Sequence, residues 1–174
     1  MALIGVTGRN VDQQLVLFAL DNGSALLVDC SNCANPHQFS QLVPDERFHD
    51  VFVVEAESLY RFRSVVMALP RMARSLGVRR IVVTSFSRLF DFDDEAENAD
   101  VFEHCWGMIR EVAYRYDVFI GVSEAQMAFA KRFCDRWGGL DGPYGLESEG
   151  GFGSDGFRAA RLRKVAPGRG AHCF

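Results

Sequence analysis

Residues Ile81-Val82-Val83-Thr84-Ser85-Phe86 form an apolar run that turns polar only at Thr84 and Ser85. Apolar on successive rather than alternate residues, it reads as a strand buried on both faces, as in a parallel sheet covered by helices. Outward from it, the same pattern repeats. Residues 3–6 read as a first strand, followed by the turn Thr7-Gly8-Arg9-Asn10. A helix over 11–20 comes next, with Leu15, Phe18 and Ala19 on one face and Asp21-Asn22-Gly23 as its stop. Residues 25–29 are a second apolar strand. Residues 51–54 are a third, reached through a loop with Pro36 and Pro44. Residues 57–76 have helical period; Pro70 inside them predicts a kink or two abutting helices, and Gly77 a C-cap.

After the fourth strand (81–85), an acidic segment leads to a helix over 99–116. A fifth strand follows over 118–122, and 125–137 has helical spacing. Residues 138–156 are glycine-rich and polar, a long loop or arm. Residues 157–174 suit one or two edge strands around a Pro167-Gly168 turn. Strands alternating with helices predict an α/β domain of three layers around a mostly parallel sheet. Residues 1–137 form its core, and 157–174 complete the same domain.

The length of 174 residues suits one domain with a real hydrophobic core. A 48% apolar share argues against wholesale disorder, and a net charge of −4 against a generally basic surface. No apolar run approaches the roughly 20 residues of a membrane-spanning helix. Met1-Ala2-Leu3-Ile4-Gly5-Val6 lacks the basic start of a secretory signal. Five cysteines, an odd count, fit reduced thiols in the cytoplasm better than a disulfide framework. Most of the 15 phenylalanines belong in the core, with a few left for a partner surface.

A phosphate-binding loop would open from the first strand as G-x-x-x-x-G-K-[ST]. Its glycines let backbone N–H groups cradle phosphates, its lysine contacts the outer phosphates, and its hydroxyl binds magnesium. Here Gly8-Arg9-Asn10 stands where G-K-[ST] would be, and Leu3 where the upstream glycine would be. Arg9 keeps the charge, but a planar guanidinium does not replace a compact ammonium in a tight loop. The structural alternative is that Asn10 caps the helix beginning at Val11. Gly5-Val6-Thr7-Gly8 is not a dinucleotide fingerprint either.

In order and spacing, these pieces resemble the ATPase core of the RecA/RadA recombinase family, most closely its small archaeal RadB-like paralogues. Leu27-Val28-Asp29-Cys30-Ser31 is similar to the family's second strand, with Ser31 at the position of the catalytic glutamate. Arg80-Ile81-Val82-Val83-Thr84-Ser85-Phe86-Ser87-Arg88-Leu89 resembles the Walker B strand, with Thr84 at its magnesium-binding aspartate. Val122-Ser123-Glu124-Ala125-Gln126 echoes the family's sensor. Ala160-Arg161-Leu162-Arg163-Lys164 with Gly168-Arg169 is similar to the paralogues' terminal arginine-rich strands. The resemblance implies a RecA-like P-loop fold whose nucleotide site (Gly8, Arg9, Asn10, Asp29, Ser31 and Thr84) is degenerate. Hydrolysis needs the lysine, the magnesium carboxylate and a group that positions water. The implied protein is therefore a pseudo-ATPase without a required cofactor.

Three other constellations stand beside it. Cys30-Ser31-Asn32-Cys33 is a C-x-x-C that suits an incidental pair, a redox dithiol at a helix N-terminus, or half a zinc site with His37 or His49. His104 and Cys105 read as ordinary surface and core residues. Asp91, Asp93, Asp94, Glu95, Glu97, Asp100 and Glu103 form an acidic run, either a solvated helix approach or a dock for a basic partner. Arg158, Arg161, Arg163, Lys164 and Arg169 form a basic tail suited to DNA phosphates or to guarding an edge strand.

The expectation is a non-catalytic accessory factor of recombination and repair. It would bind a recombinase or other repair protein, with DNA contact through the tail, as an oligomer or hetero-complex. The alternatives are a divergent ATPase binding ATP and magnesium through Arg9 and Asp29, and a C-x-x-C redox or zinc protein.

Overall fold

Strand β4 (Arg80–Val83) lies between β2 (Ala25–Asp29) and β5 (Asp117–Gly121), parallel to both. The computed structural model describes residues 1–39, 45–90, 95–140 and 146–147. The expected strands over 157–174, the basic tail residues, Asp91, Asp93, Asp94 and most of the 138–156 arm lie outside them. Within the described residues, β1 (Leu3–Thr7) runs between β5 and β6 (Arg136–Leu140), and β3 (Val51–Glu55) pairs with the outer side of β2. The sheet order is β3-β2-β4-β5-β1-β6-β7. Only the two-residue β7 (Leu146–Glu147) is antiparallel.

Alternation along the strands explains the layers. Leu26, Val28, Ile81, Val83, Val118 and Ile120 point to one face, and Ala25, Leu27, Val82 and Phe119 to the other. The second face is covered by α1 (Val11–Asp21), which buries Leu15, Val16, Phe18 and Ala19 against it. Phe39, from the short α2 (Pro36–Phe39), joins the same cluster. The first face is covered by α3 (Leu59–Leu76) and α4 (Glu95–Ala113). A chain that is apolar on both sides of its strands needs helices on both faces, and it has them.

Helix α3 begins at Ser58, whose hydroxyl accepts the Arg61 N–H at 3.3 Å, and ends at Gly77 with φ 67°. The predicted C-cap holds, because glycine enters the left-handed region without a Cβ clash. In place of two abutting helices, a single continuous helix passes through Pro70. The Tyr116 hydroxyl donates to the Pro70 carbonyl at 3.1 Å, tying the segment after α4 to α3. Beneath these helices Phe62 stacks on Phe86 at 4.7 Å, and Phe86 contacts Phe90, Phe102 and Trp106. Such ring pairs contribute about 0.5–1.5 kcal/mol each beyond their buried area. Phe86 and Phe90 therefore serve the core.

The expected helix over 125–137 is not formed. A 3₁₀ turn (Glu124–Gln126) and the one-turn α5 (Met127–Ala130) lead instead into β6. The helical spacing of Phe129 and Phe133 is real, since both rings join the aromatic cluster. Beyond them, main-chain bonding wins. The Asp135 N–H donates to the Leu3 carbonyl at 2.8 Å, and the Leu3 N–H donates to the Asp135 carboxylate at 2.8 Å. Trp137 then lies over Gly5, where any Cβ would sit 2.8 Å from the indole. Gly138 and Gly139, expected to open the arm, pair with Val6 and Thr7 as strand. No helix among the described residues is long and apolar enough to cross a membrane.

Candidate functional site

The carboxyl ends of β1, β2, β4 and β5 open onto one cleft of about 790 Å³. Open α/β sheets gather ligands there, where connections leave neighbouring strands in opposite directions. Here β2 leads outward to β3 while β4 leads the other way to β5. Gly8, Arg9 and Asn10 reach the cleft from β1, Ser31 and Cys33 from β2, Ser85 and Arg88 from β4, and Ser123 and Glu124 from β5.

The turn after β1 does not have the geometry expected of a helix cap. Asn10 adopts φ 55°, ψ 39°, and its side chain makes no capping hydrogen bond, which corrects the capping reading. A side-chain cap needs an extended backbone at that residue, and Asn10 is left-handed. Its carbonyl still accepts the Gln14 N–H at 3.1 Å and starts the helix. Gly8, at φ 146°, makes room for the turn. Arg9 is exposed at the rim.

Below the rim lies a buried pair with no counterpart in the sequence reading. One carboxylate oxygen of Asp12, in the first turn of α1, accepts the Ser85 N–H at 2.7 Å and the Ser85 hydroxyl at 2.6 Å. Gly121, at the end of β5, lies against this pair. A Cβ there would come within 2.9 Å of both Asp12 Oδ1 and Ser85 Oγ. One carboxylate thus ties the first turn of α1 to the end of β4, with the end of β5 packed against the pair.

Asp29 and Thr84 form a second lock. The Thr84 hydroxyl is fully buried and accepts the Cys30 N–H at 2.7 Å, with Asp29 Oδ1 at 3.3 Å as a partner for its own proton. Asp29 Oδ1 also accepts the Ser31 N–H at 3.1 Å, and Oδ2 accepts the Ala34 N–H at 2.7 Å. A carboxylate satisfied in this way holds the loop after β2 in shape. Of the six residues in the expected nucleotide site, Gly8, Arg9, Asn10 and Ser31 line the cleft. Asp29 and Thr84 lie beneath it.

Cys30 and Cys33 are free thiols of the same loop. Burial, reinforced by the charges of Asp29 and Asp12, pushes the Cys30 thiol well above the usual range. Burial likewise pushes Cys33 up to about 12, against a hydrogen bond from the Ser31 hydroxyl that lowers it. A redox dithiol needs a lowered thiol pKa, so the environment runs against that reading. Among the described residues no three His, Cys, Asp or Glu side chains come together in a metal-holding group. His104 is exposed and Cys105 buried, as the sequence suggested. In the acidic run, Glu103 pairs with Arg132 at 2.7 Å.

No protein-family model matches this chain, and comparison with curated proteins finds no match.

Proposed function

We propose that this chain is a non-catalytic RecA-like protein, a recombinase paralogue or accessory factor in DNA recombination and repair, acting in the cytoplasm through a protein partner. The observation that carries the non-catalytic half is the Asp29–Thr84 contact beneath the cleft. Phosphoryl transfer from a nucleotide needs a magnesium-holding carboxylate and a water-positioning group that face the ligand. The carboxylate nearest the expected place is turned into its own loop by the Ser31 and Ala34 N–H groups. The threonine hydroxyl is spent on Cys30. The recombination role rests on the order and spacing of the RecA-like segments in the sequence. DNA contact belongs to the basic segment of Arg158, Arg161, Arg163, Lys164 and Arg169.

Co-purification with a recombinase from the source organism, together with an ATPase assay, tests this reading. The expected result is stable capture of the recombinase and no hydrolysis above background. A clean failure of capture, with no shift of DNA at low salt, overturns it.

A second reading draws on the cleft itself. Its volume of about 790 Å³ lies within the range of small-molecule sites, and Arg9 and Arg88 stand at its edge as phosphate contacts. Under this reading the chain binds a nucleotide. Micromolar binding of a fluorescent ATP analogue with magnesium, abolished by Arg9→Ala, would establish it over the first.

A further inference from the structure

On the opposite side of the molecule from α1, helices α3 and α4 enclose a groove of about 320 Å³. Its floor and walls are apolar: Val66, Met67 and Pro70 from α3, Met108 and Val112 from α4. Met67 is 69% exposed. Arg115 lines the groove beside Glu111, and two exposed arginines of α3 lie just outside it. Arg63 lies one turn before Met67 and Arg74 one turn after Pro70, a 4-3-4 spacing that puts all four on one face of α3. His104, Met108, Glu111 and Arg115 repeat that spacing along α4 and its end.

The charge of α3 is one-sided, whereas α4 is rich in acids, most of them in its first half. From Leu59 to Leu76, α3 carries Arg61, Arg63, Arg71 and Arg74 and no Asp or Glu. Among the side chains that are described, no carboxylate lies within ion-pair distance of Arg63, Arg74 or Arg115. Glu111 is the one acid lining the groove. An apolar centre between cations is complementary to a ligand with an apolar centre between anions.

We propose that the α3–α4 groove docks an acidic amphipathic helix of a partner protein, seating its apolar side chains on Met67 and Met108 and its carboxylates on Arg63, Arg74 and Arg115. This inference rests on the reading of the chain as a partner-binding protein and names the surface used. Helix-in-groove recognition takes apolar anchors at i, i+3 or i+4, and i+7. The span from Arg63 to Arg74 is about 16 Å at the helical rise, or about three turns of a partner helix. Methionine side chains adapt to varied aliphatic shapes. The groove lining holds no aromatic ring on which a base would stack, and this favours protein over single-stranded nucleic acid.

The test uses the full chain and a fluorescein-labelled helical peptide with leucines at i, i+3 and i+7 flanked by glutamates, followed by anisotropy. Saturable binding that weakens with salt is expected. Met67→Glu, and the pair Arg63→Glu with Arg74→Glu, weaken it about tenfold or more. These side chains are exposed, so the variants stay folded, with a small loss of stability from Arg74→Glu in the last turn of α3. In the wild type the peptide shifts the Met67 and Met108 methyl resonances. Equal binding of a lysine-flanked peptide, no binding of the glutamate peptide, or arginine-dependent binding of an oligothymidine without peptide binding each overturns the proposal. Capture of a recombinase is scored separately with the same variants. Capture that survives Met67→Glu removes the groove and leaves the proposed function standing. Peptide binding without recombinase capture does the reverse.

Discussion

Asp12 and Ser85, 73 residues apart in the chain, share one carboxylate oxygen: it accepts both the Ser85 N–H at 2.7 Å and the Ser85 hydroxyl at 2.6 Å. Both groups are largely buried in the wall of the cleft, so removing the acceptor leaves two donors short of their partner. Asp12→Ala is expected to lower unfolding free energy by about 3 kcal/mol, and Asp12→Asn, which keeps an oxygen, by less. Gly121→Ala pushes a methyl into the same pair and also destabilises. Urea unfolding checks all three. The double variant Asp12→Ala with Gly121→Ala should cost less than the two single changes added, because they break the same contact.

Restoring an acid at position 84 is not expected to restore hydrolysis. In Thr84→Asp the new carboxylate faces Asp29 in a fully buried place and forces two like charges together. A loss of about 3–5 kcal/mol follows, with no gain in ATPase rate. Thr84→Val keeps the shape and orphans the Cys30 N–H, at a cost of about 1–3 kcal/mol. Denaturant melts and a phosphate-release assay measure both. A stable, hydrolysing Thr84→Asp protein would show that the lock is not what disables the site.

Acid should loosen the junction of β1 and β6. Burial raises the Asp135 pKa, but the Arg110 hydrogen bond, the Leu3 N–H and nearby positive charge outweigh it and hold the carboxyl below its ordinary value. A lowered folded pKa contributes stability that is complete above the ordinary Asp value of about 3.9 and is lost as pH falls through the lower, folded value. Arg110→Ala is expected to flatten that part of the pH–stability curve, read as urea midpoints between about pH 5 and 2.

The C-x-x-C thiols should react slowly. Cys33, pushed up to about 12 by burial, and Cys30, pushed higher, hold almost no thiolate at neutral pH. Cys105 and Cys134 are also raised by burial, to about 11 and about 12. In a Cys173→Ser background, native protein should therefore react with a disulfide reagent far more slowly than the same protein in urea. A fast, stoichiometric pair of thiols in the native protein would return the redox reading to the front.

Strands β1 to β5 were legible because each is a nearly unbroken apolar run, a pattern that survives without knowing its neighbours. Gly77 was legible for the same local reason, as a left-handed cap. Strand β6 was not, because Phe129 and Phe133 carry true helical spacing while the bonds that make 136–140 a strand come from Leu3. The site divides in the same way. Gly8, Arg9, Asn10 and Ser31 follow strand ends in the sequence and do reach the cleft. Asp12 looks like any acid in a first helical turn, and its partner is fixed only by sheet order. Asn10 was misread because capping preference is set by residue type, whereas its role here is set by backbone sign.

The position of β1 has a consequence for how the chain is made. Its two sheet neighbours are β5 and β6, and the bond from Leu3 to Asp135 spans 132 residues. Strand β1 is therefore made well before either of its partners, and both its edges stay open while more than a hundred residues are synthesised. Contacts of such long range slow folding and leave strand edges exposed in the meantime. A nascent chain halted before residue 117 would hold α1 and three other strands of the sheet, but neither partner of β1.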